Sequence, residues 1–325
     1  MNPNPLKIGI ITSGGDAPGM NSCIRAVVRE AAANNAQAIG VNNGYDGLIT
    51  GDFQALNARN VGGILQRGGT ILQTRRSDAF RRRSGVQKAM ETMKINGIDA
   101  LVVVGGDGSL RGAHELAGEG VPVVGVPASI DNDIWGTHMS IGVDTAMNTI
   151  MDAVDKLRDT ASSHGRTFIV ETMGRGCGYL ALMAGIVCGA EMVLIPEVPV
   201  TMDEVVEALD SAYRREKTYL IVVVAEGANI RTSELVKVLN EKRVGFETRV
   251  SILGHIQRGG SPTAFDRMLA ARMGTKAVQA LIGGKSDVMT GLQGREIELV
   301  SLEEVTTRKR TANLEYYIMT QRLAT

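Results

Sequence analysis

LVVVGGDGSLRGAHELAGEGVPVVGVPASIDNDI, running from Leu101 to Ile134, sets the fold class. Two short apolar runs rich in branched residues, Leu101–Val104 and Val121–Val126, have the length of buried parallel strands, and a helix fits between them. This is a βαβ unit. Each run ends in a loop whose chemistry does not suit a core: Gly105-Gly106-Asp107-Gly108-Ser109 after the first, Ser129-Ile130-Asp131-Asn132-Asp133 after the second. Ligands in open α/β sheets sit at the carboxyl ends of the strands, so both loops are expected at one crevice.

In the first loop the glycines let backbone N–H groups approach an anion with no Cβ in the way, and Ser109 can open a helix whose dipole favours phosphate. A carboxylate beside bound phosphates would repel them, so Asp107 makes chemical sense chiefly through a bridging divalent cation, with Mg2+ the natural choice. The second loop sets Asp131 and Asp133 two residues apart, where one carboxylate can take a proton from an attacking hydroxyl. A plain turn and a solvated loop would explain either segment alone. Two such loops closing consecutive strands favour a site.

The design recurs outward from this unit. Lys7–Thr12 reads as a buried strand, followed by Ser13-Gly14-Gly15-Asp16 and a helix from near Pro18. Asn34 to Gly69 shows weak periodicity. Val143, Met147, Ile150, Val154 and Leu157 form the stripe of a long amphipathic helix. Strands at Thr167–Thr172 and Tyr219–Ala225 end in Met173-Gly174-Arg175 and Glu226-Gly227, and Thr201 with Glu204 makes a capping box for a helix expected to turn Val206, Leu209 and Tyr213 inward. Farther on, Ser261 and Pro262 are expected to cap a helix carrying Phe265, Leu269, Met273, Ala277 and Leu281 on one face. The alternation after Ile141 implies a second α/β layer sandwich, with the hinge near Thr137–Gly142 and a return crossing near Gly254.

At 325 residues and 44% hydrophobic content the chain can bury a large core and is expected to form two domains. Zero formal net charge offers no field to steer it to nucleic acid or anionic membrane, and 4% aromatic residues supply base stacking poorly. Cys23, Cys177 and Cys188 have no metal-type spacing and suit core thiols in a reducing cytoplasm. MNPNPLK lacks the apolar run of a signal peptide, and no apolar stretch nears the roughly 20 residues that span a bilayer, so a cytoplasmic protein is expected.

The ordered set SGGDAPGMN at Ser13–Asn21, GGDGS at Gly105–Ser109, SIDND at Ser129–Asp133, MGRGCG at Met173–Gly178 and GHIQRGGSP at Gly254–Pro262 resembles the ATP-dependent 6-phosphofructokinase family of the bacterial type. The resemblance runs from about Lys7 to beyond Met273. It implies two Rossmann-like three-layer α/β/α domains with mainly parallel sheets and the active site in the cleft between them. Residues 1–141 plus 255–305 would bind ATP, and 142–254 plus 306–325 would bind fructose 6-phosphate. The implied reaction is the glycolytic transfer of the γ-phosphoryl group of ATP to the 1-hydroxyl of D-fructose 6-phosphate, with Mg2+ as cofactor.

By the same resemblance ATP would meet Gly15, Arg76, Ser77, Gly106, Asp107, Gly108 and Ser109, with Asp107 as the metal ligand. Fructose 6-phosphate would meet Ser129, Ile130, Asp131, Arg166, Met173, Gly174, Arg175, Glu226, Arg249, His255, Ile256, Gln257 and Arg258. Asp131 would be the base, aided by Arg175, Gly15 and Ser129. Arg166 and Arg249 would reach a neighbouring subunit's site, which makes the active enzyme a homotetramer. Arg25, Arg29, Arg158, Arg215 and Lys217 would form an effector site for a nucleoside diphosphate or phosphoenolpyruvate.

The chain departs from the family pattern at three positions. Ser77 replaces an aromatic, Ser129 replaces a Thr, and Ala58 stands where relatives carry another arginine, so weakened or altered regulation is expected. Two further readings remain: a pyrophosphate-dependent enzyme, against which Gly108 and Ala128 speak, and a non-catalytic sensor, against which retention of Asp107 and Asp131 speaks. The cationic set does not distinguish fructose 6-phosphate from near epimers.

Overall fold

The computed structural model describes residues 5–215, 217–242 and 244–324; the expectation for the first four residues lies outside them. Two compact units emerge. The first takes the chain through Ile130, Ile134–Thr145 and Arg258–Lys309, and the second takes Asp131–Asp133, Ala146–Gln257 and the chain from Arg310 onward.

In chain order come β1 (Lys7–Ser13), α1 (Met20–Ala33), β2 (Gln37–Val41), α2 (Tyr45–Thr50), β3 (Phe53–Leu56), α3 (Arg83–Asn96), β4 (Ala100–Gly105), α4 (Asp107–Gly118) and β5 (Val123–Pro127). They are followed by α5 (Val143–His164), β6 (Arg166–Thr172), α6 (Tyr179–Val187), β7 (Met192–Leu194), α7 (Met202–Arg214), β8 (Leu220–Ala225), α8 (Thr232–Lys242) and β9 (Glu247–Ile252). The chain closes with α9 (Ala264–Ile282), β10 (Val288–Gln293), β11 (Glu296–Ser301), α10 (Leu302–Thr307) and α11 (Leu314–Leu323).

In the first unit the sheet order is β11, β10, β5, β4, β1, β2, β3, parallel except where β3 meets β2 and β11 meets β10. The central strands are buried on both faces, which is why they read as unbroken apolar runs. Ile11, Val41, Leu101, Val103 and Val123 share one core with residues of α2, α3, α4 and α10. Alternate residues such as Ile10, Val102 and Val104 turn to the opposite face. There α1 and α9 pack together.

The second unit has the parallel order β7, β8, β6, β9, with a core of Ile169, Val222 and Val224 under Val205, Leu209 and Leu235. Here β9 is an edge strand, and its Val250 and Ile252 are exposed.

Register sets the functional loops. Ser13 pairs with Gly105 and Gly105 with Pro127, so three loops of the first unit begin level with one another. In the second unit Thr172 pairs with Ala225 and Glu171 with Ile252, which levels the starts of the loops at Met173, Glu226 and Leu253.

Several local expectations need correction. Helix α4 begins at Asp107 with Gly106 as its cap, so Ser109 lies buried inside the first turn rather than opening it. The α7 capping box forms as expected and Leu209 turns inward with Val206 partly buried against the core, but Val205 and Ala212 complete the buried face; Tyr213 is 43% exposed and meets Phe246 edge to face at 4.8 Å. Helix α9 is capped by Thr263, whose side chain accepts from Asp266 N, rather than by Ser261 and Pro262. Its Phe265 is 43% exposed, while Leu269, Met273, Ala277 and Leu281 are buried. The weakly periodic region holds β2, α2 and β3, whose short lengths leave no room for a period to show.

One buried acid binds two helix starts together. Asp266 of α9 accepts from Gly142 N at 2.9 Å and Thr145 N at 2.8 Å, meeting donors that the start of α5 leaves open, while Thr263 Oγ1 donates to Asp144 Oδ2 at 2.6 Å. Burial pushes the Asp266 carboxyl up to about 6, against the opposing pull of its Thr145 and Gly142 donors.

Candidate active site

The candidate functional groups of the first unit are mainly backbone. Gly14 takes φ +86°, a value open to glycine, and its carbonyl accepts from Thr74 Oγ1 at 2.8 Å. Asn21 Nδ2 donates to the carbonyls of Arg67 and Gly68 and its Oδ1 accepts from Ile71 N, so α1 holds the long loop that leads to Arg76. Arg76 itself is exposed. Ser77 Oγ accepts from Phe80 N at 3.1 Å, and Phe80 stacks on Tyr45 with ring centroids 4.0 Å apart. The aromatic missing at position 77 thus has a serine turn in its place.

A Cβ on Gly105 would lie 2.5 Å from the Ser13 carbonyl oxygen, so glycine is obligatory where the two turns meet. Gly106 faces Ser129, whose side chain would be 3.7 Å from a Cβ there. Ser129 is held in turn by Ser140 Oγ, which donates to its carbonyl at 2.8 Å. Gly108 faces open space. The start of α4, with no side-chain cap, presents its amides beside these glycines, which suits a phosphate.

Asp107 is half-exposed, and its Oδ2 lies 2.8 Å from Arg111 Nη2. Sequence reasoning missed this partner, although four-residue spacing on a helix signals it. Among the described residues no cluster of three or more His, Cys, Asp or Glu could hold a metal. A single carboxylate in the first turn of a helix fits a hard divalent cation that takes its other ligands from phosphate and water. Arg258 lies in this unit: its Nη1 donates to Asp16 O at 3.3 Å, and its guanidinium covers Gly15 so closely that a Cβ on Gly15 would displace it.

The candidate functional groups of the second unit are side chains. Asp131 is 2% exposed and its Oδ2 lies 3.3 Å from Arg175 Nε. Arg175 has φ +51° and follows Gly174 at φ +143°, an unusual pair of backbone states for a turn that must aim a guanidinium. A carboxylate and an amide from loops distant in sequence hold that turn. Glu226 Oε1 accepts from Gly174 N at 3.2 Å and Arg175 N at 2.7 Å, and buried Gln257 accepts from Met173 N at 3.2 Å while donating to Gly254 O at 2.9 Å. Glu226 thereby shapes the loop, a part that its place at a strand end did not reveal.

His255 and Ile256 lie in the short 3₁₀ turn with Gln257, and both are exposed. Arg166 and Arg249 share Glu247, with Arg166 Nε at 3.2 Å from Oε2 and Arg249 Nη2 on Oε1. Arg249 and then Arg166 hold the Glu247 carboxyl below its ordinary range. Glu247 also escaped sequence reasoning, though its two-residue spacing from Arg249 puts both on one face of β9.

The expected effector cations divide between the units. Arg25 and Arg29 are one turn apart on α1. In the second unit Arg158 has its Nε and Nη2 buried with no hydrogen-bond partner among the described residues, and Lys217 Nζ donates to Glu191 Oε1 at 3.4 Å and Ala324 O at 3.0 Å. Arg215 lines a cavity of about 250 Å³ with Glu191, Tyr317 and Gln321. The three cysteines are buried thiols, and burial pushes Cys23 and Cys177 up to about 12. No described helix is long and apolar enough to cross a membrane.

Glycine turns and an uncapped helix start suit phosphate in the first unit, and a buried acid against an arginine suits proton transfer in the second, the two chemistries of a phosphotransferase of the doubly wound α/β class. The family model described as "Phosphofructokinase" matches residues 7–281, and the chain belongs to that family. An "ATP-dependent 6-phosphofructokinase" of Thermotoga neapolitana is 53% identical over 312 residues, 96% of this chain and 97% of its own. The protein of that name from Brevibacillus brevis is 49% identical over 318 residues, 98% of this chain and 99% of its own. Among solved structures, Pichia pastoris phosphofructokinase in the T-state superposes with a TM-score of 0.89 at 38% identity over 98% of this chain, which spans 36% of the Pichia chain.

Proposed function

We propose that this chain is a glycolytic ATP-dependent 6-phosphofructokinase, which transfers the γ-phosphoryl group of ATP to the 1-hydroxyl of D-fructose 6-phosphate and releases fructose 1,6-bisphosphate and ADP. The observation that carries the reading is the buried Asp131 carboxylate beside the Arg175 guanidinium at 3.3 Å. Asp131 accepts the proton of the 1-hydroxyl as its oxygen attacks phosphorus, and Arg175 offsets charge on the group in transfer. Transfer of a phosphoryl group needs mainly positioning and electrostatics, and this set supplies both.

Amides of Gly15, Gly106 and Gly108 cradle the nucleotide phosphates, with Ser109 beside them and Arg76 and Ser77 at adjoining contacts. Asp107 would hold Mg2+, which when bound neutralises phosphate charge. Ser129, Ile130, Met173 and Gly174 line the sugar; His255, Ile256, Gln257, Arg258, Arg166, Arg249 and Glu226 complete its binding set, Glu226 and Gln257 through the loop they hold. The open space before Gly108 and the neutral, buried Ala128 support a nucleotide donor over pyrophosphate.

The enzyme acts in the cytoplasm as a homotetramer in which Arg166 and Arg249 serve a neighbouring subunit, a reading supported by the exposed Val250 and Ile252 on the same edge strand as Arg249. Arg25, Arg29, Arg158, Arg215 and Lys217 bind an effector. Initial rates with ATP and with pyrophosphate, at saturating magnesium and fructose 6-phosphate, test the reading. Turnover with ATP is expected to dominate; faster turnover with pyrophosphate, or none with either, overturns it.

A further inference from the structure

Asn132, between Asp131 and Asp133, has φ +52° and is 1% exposed, so a left-handed backbone state is enclosed next to the proposed base. Asparagine tolerates this region better than most residues, but surrounding contacts must still hold it there. Two side chains stand behind it. Tyr179, the first residue of α6, is hydrogen-bonded through its hydroxyl to the Asn132 side chain. Arg310 places its guanidinium carbon 5.5 Å from the centroid of the Tyr179 ring and donates its backbone N–H to Asp133 O at 3.2 Å.

The position of Tyr179 is itself constrained. Gly178 N donates to both carboxylate oxygens of Glu197 at 3.0 Å, and Ala312 N donates to Glu197 Oε1 at 2.9 Å. The short segment from Arg310 to Ala312 therefore braces the base loop at Asp133 and, through Glu197, the end of the loop that carries Arg175.

We propose that Tyr179 is a positioning residue for phosphoryl transfer: its hydroxyl, braced by Arg310, holds Asn132 in the left-handed turn that aims the Asp131 carboxylate. The inference rests on Asp131 being the base. It assigns Tyr179 no contact with substrate, only control of the angle at which the acid meets the sugar hydroxyl, where small displacements have large effects on rate.

Tyr179→Phe keeps the ring under Arg310 and removes the oxygen. It is expected to lower kcat about tenfold while KM for ATP stays within about twofold, since nucleotide contacts are untouched. Glycine adopts positive φ unaided, so in an Asn132→Gly background Tyr179→Phe should change kcat by less than about twofold. A tenfold loss in both backgrounds overturns the route through Asn132, and an unchanged kcat in Tyr179→Phe overturns the proposal outright.

If Tyr179→Phe fails to fold, Arg310→Gln supplies the second measurement, with kcat about threefold down and suppressed by the same glycine. A parental kcat in Arg310→Gln then counts against the brace and overturns the proposal. Asp131→Asn is the control: collapsed turnover there with a parental Tyr179→Phe defeats Tyr179 alone, whereas an active Asp131→Asn defeats the base assignment and this inference with it.

Discussion

The two units place their functional loops by the same rule and furnish them in opposite ways. In both, parallel register levels the strand ends, with Ser13 against Gly105 in the first and Thr172 against Ala225 in the second. In the first unit those ends become glycine turns in which the backbone is the functional group, and the local requirement is the absence of a side chain. In the second the functional groups are side chains held mostly by partners distant in sequence: Arg175 by Glu226, Met173 by Gln257 and Arg166 by Glu247, which Arg249 shares from two residues away. A backbone site is robust to exchange of its surroundings but intolerant of a Cβ. A side-chain site is lost with one partner.

The largest expected effect falls on the second unit. Asp131→Asn keeps shape and removes the proton acceptor, so kcat should fall by about 10² to 10⁴ with the fold intact. Near-parental turnover would show that the acid only positions substrate and would break the contrast.

For the first unit the sharpest test pairs two glycines. Gly105→Ala forces a Cβ against the Ser13 carbonyl and should destabilise the protein by about 1 to 3 kcal/mol in denaturant titration. Gly108→Ala meets open space and helical backbone; stability should hold or rise by up to about 1 kcal/mol while KM for ATP increases several-fold. Equal destabilisation by both would mean that steric need, rather than ligand approach, explains the whole loop.

Asp266 offers a pH test. Its folded carboxyl sits at about 6, above the ordinary value of 3.8, so its contribution is fully present below the ordinary range and is lost as pH rises through about 6. Relative to Asp266→Asn, the parent should therefore lose stability from about pH 4 to pH 7, by at most a few kcal/mol at about 1.4 kcal/mol per pKa unit. A difference between the two proteins that does not change with pH would refute this.

The smallest effect is expected at Glu247. The acid is exposed, so Glu247→Gln should leave the melting temperature unchanged and alter KM for fructose 6-phosphate by at most about twofold. A larger change would mean that the paired arginines depend on this acid as Arg175 depends on Glu226, which would extend the side-chain rule to the edge strand.

From sequence alone the α/β class, the central strands, the Thr201 and Glu204 capping box and the places of the glycine turns were all legible. Each follows from local chemistry: branched apolar runs for doubly buried strands, a side-chain acceptor three residues from its donor, glycine where a Cβ cannot fit. Tertiary structure decided what lay between distant residues. It turned Tyr213 and Phe265 outward, made Glu226 a holder of the Arg175 turn, and enclosed Asn132 at positive φ behind Tyr179. Periodicity and propensity act over a few residues, whereas the partner of a carboxylate is chosen by strand register across some fifty residues, as Glu226 and Arg175 show at a separation of 51.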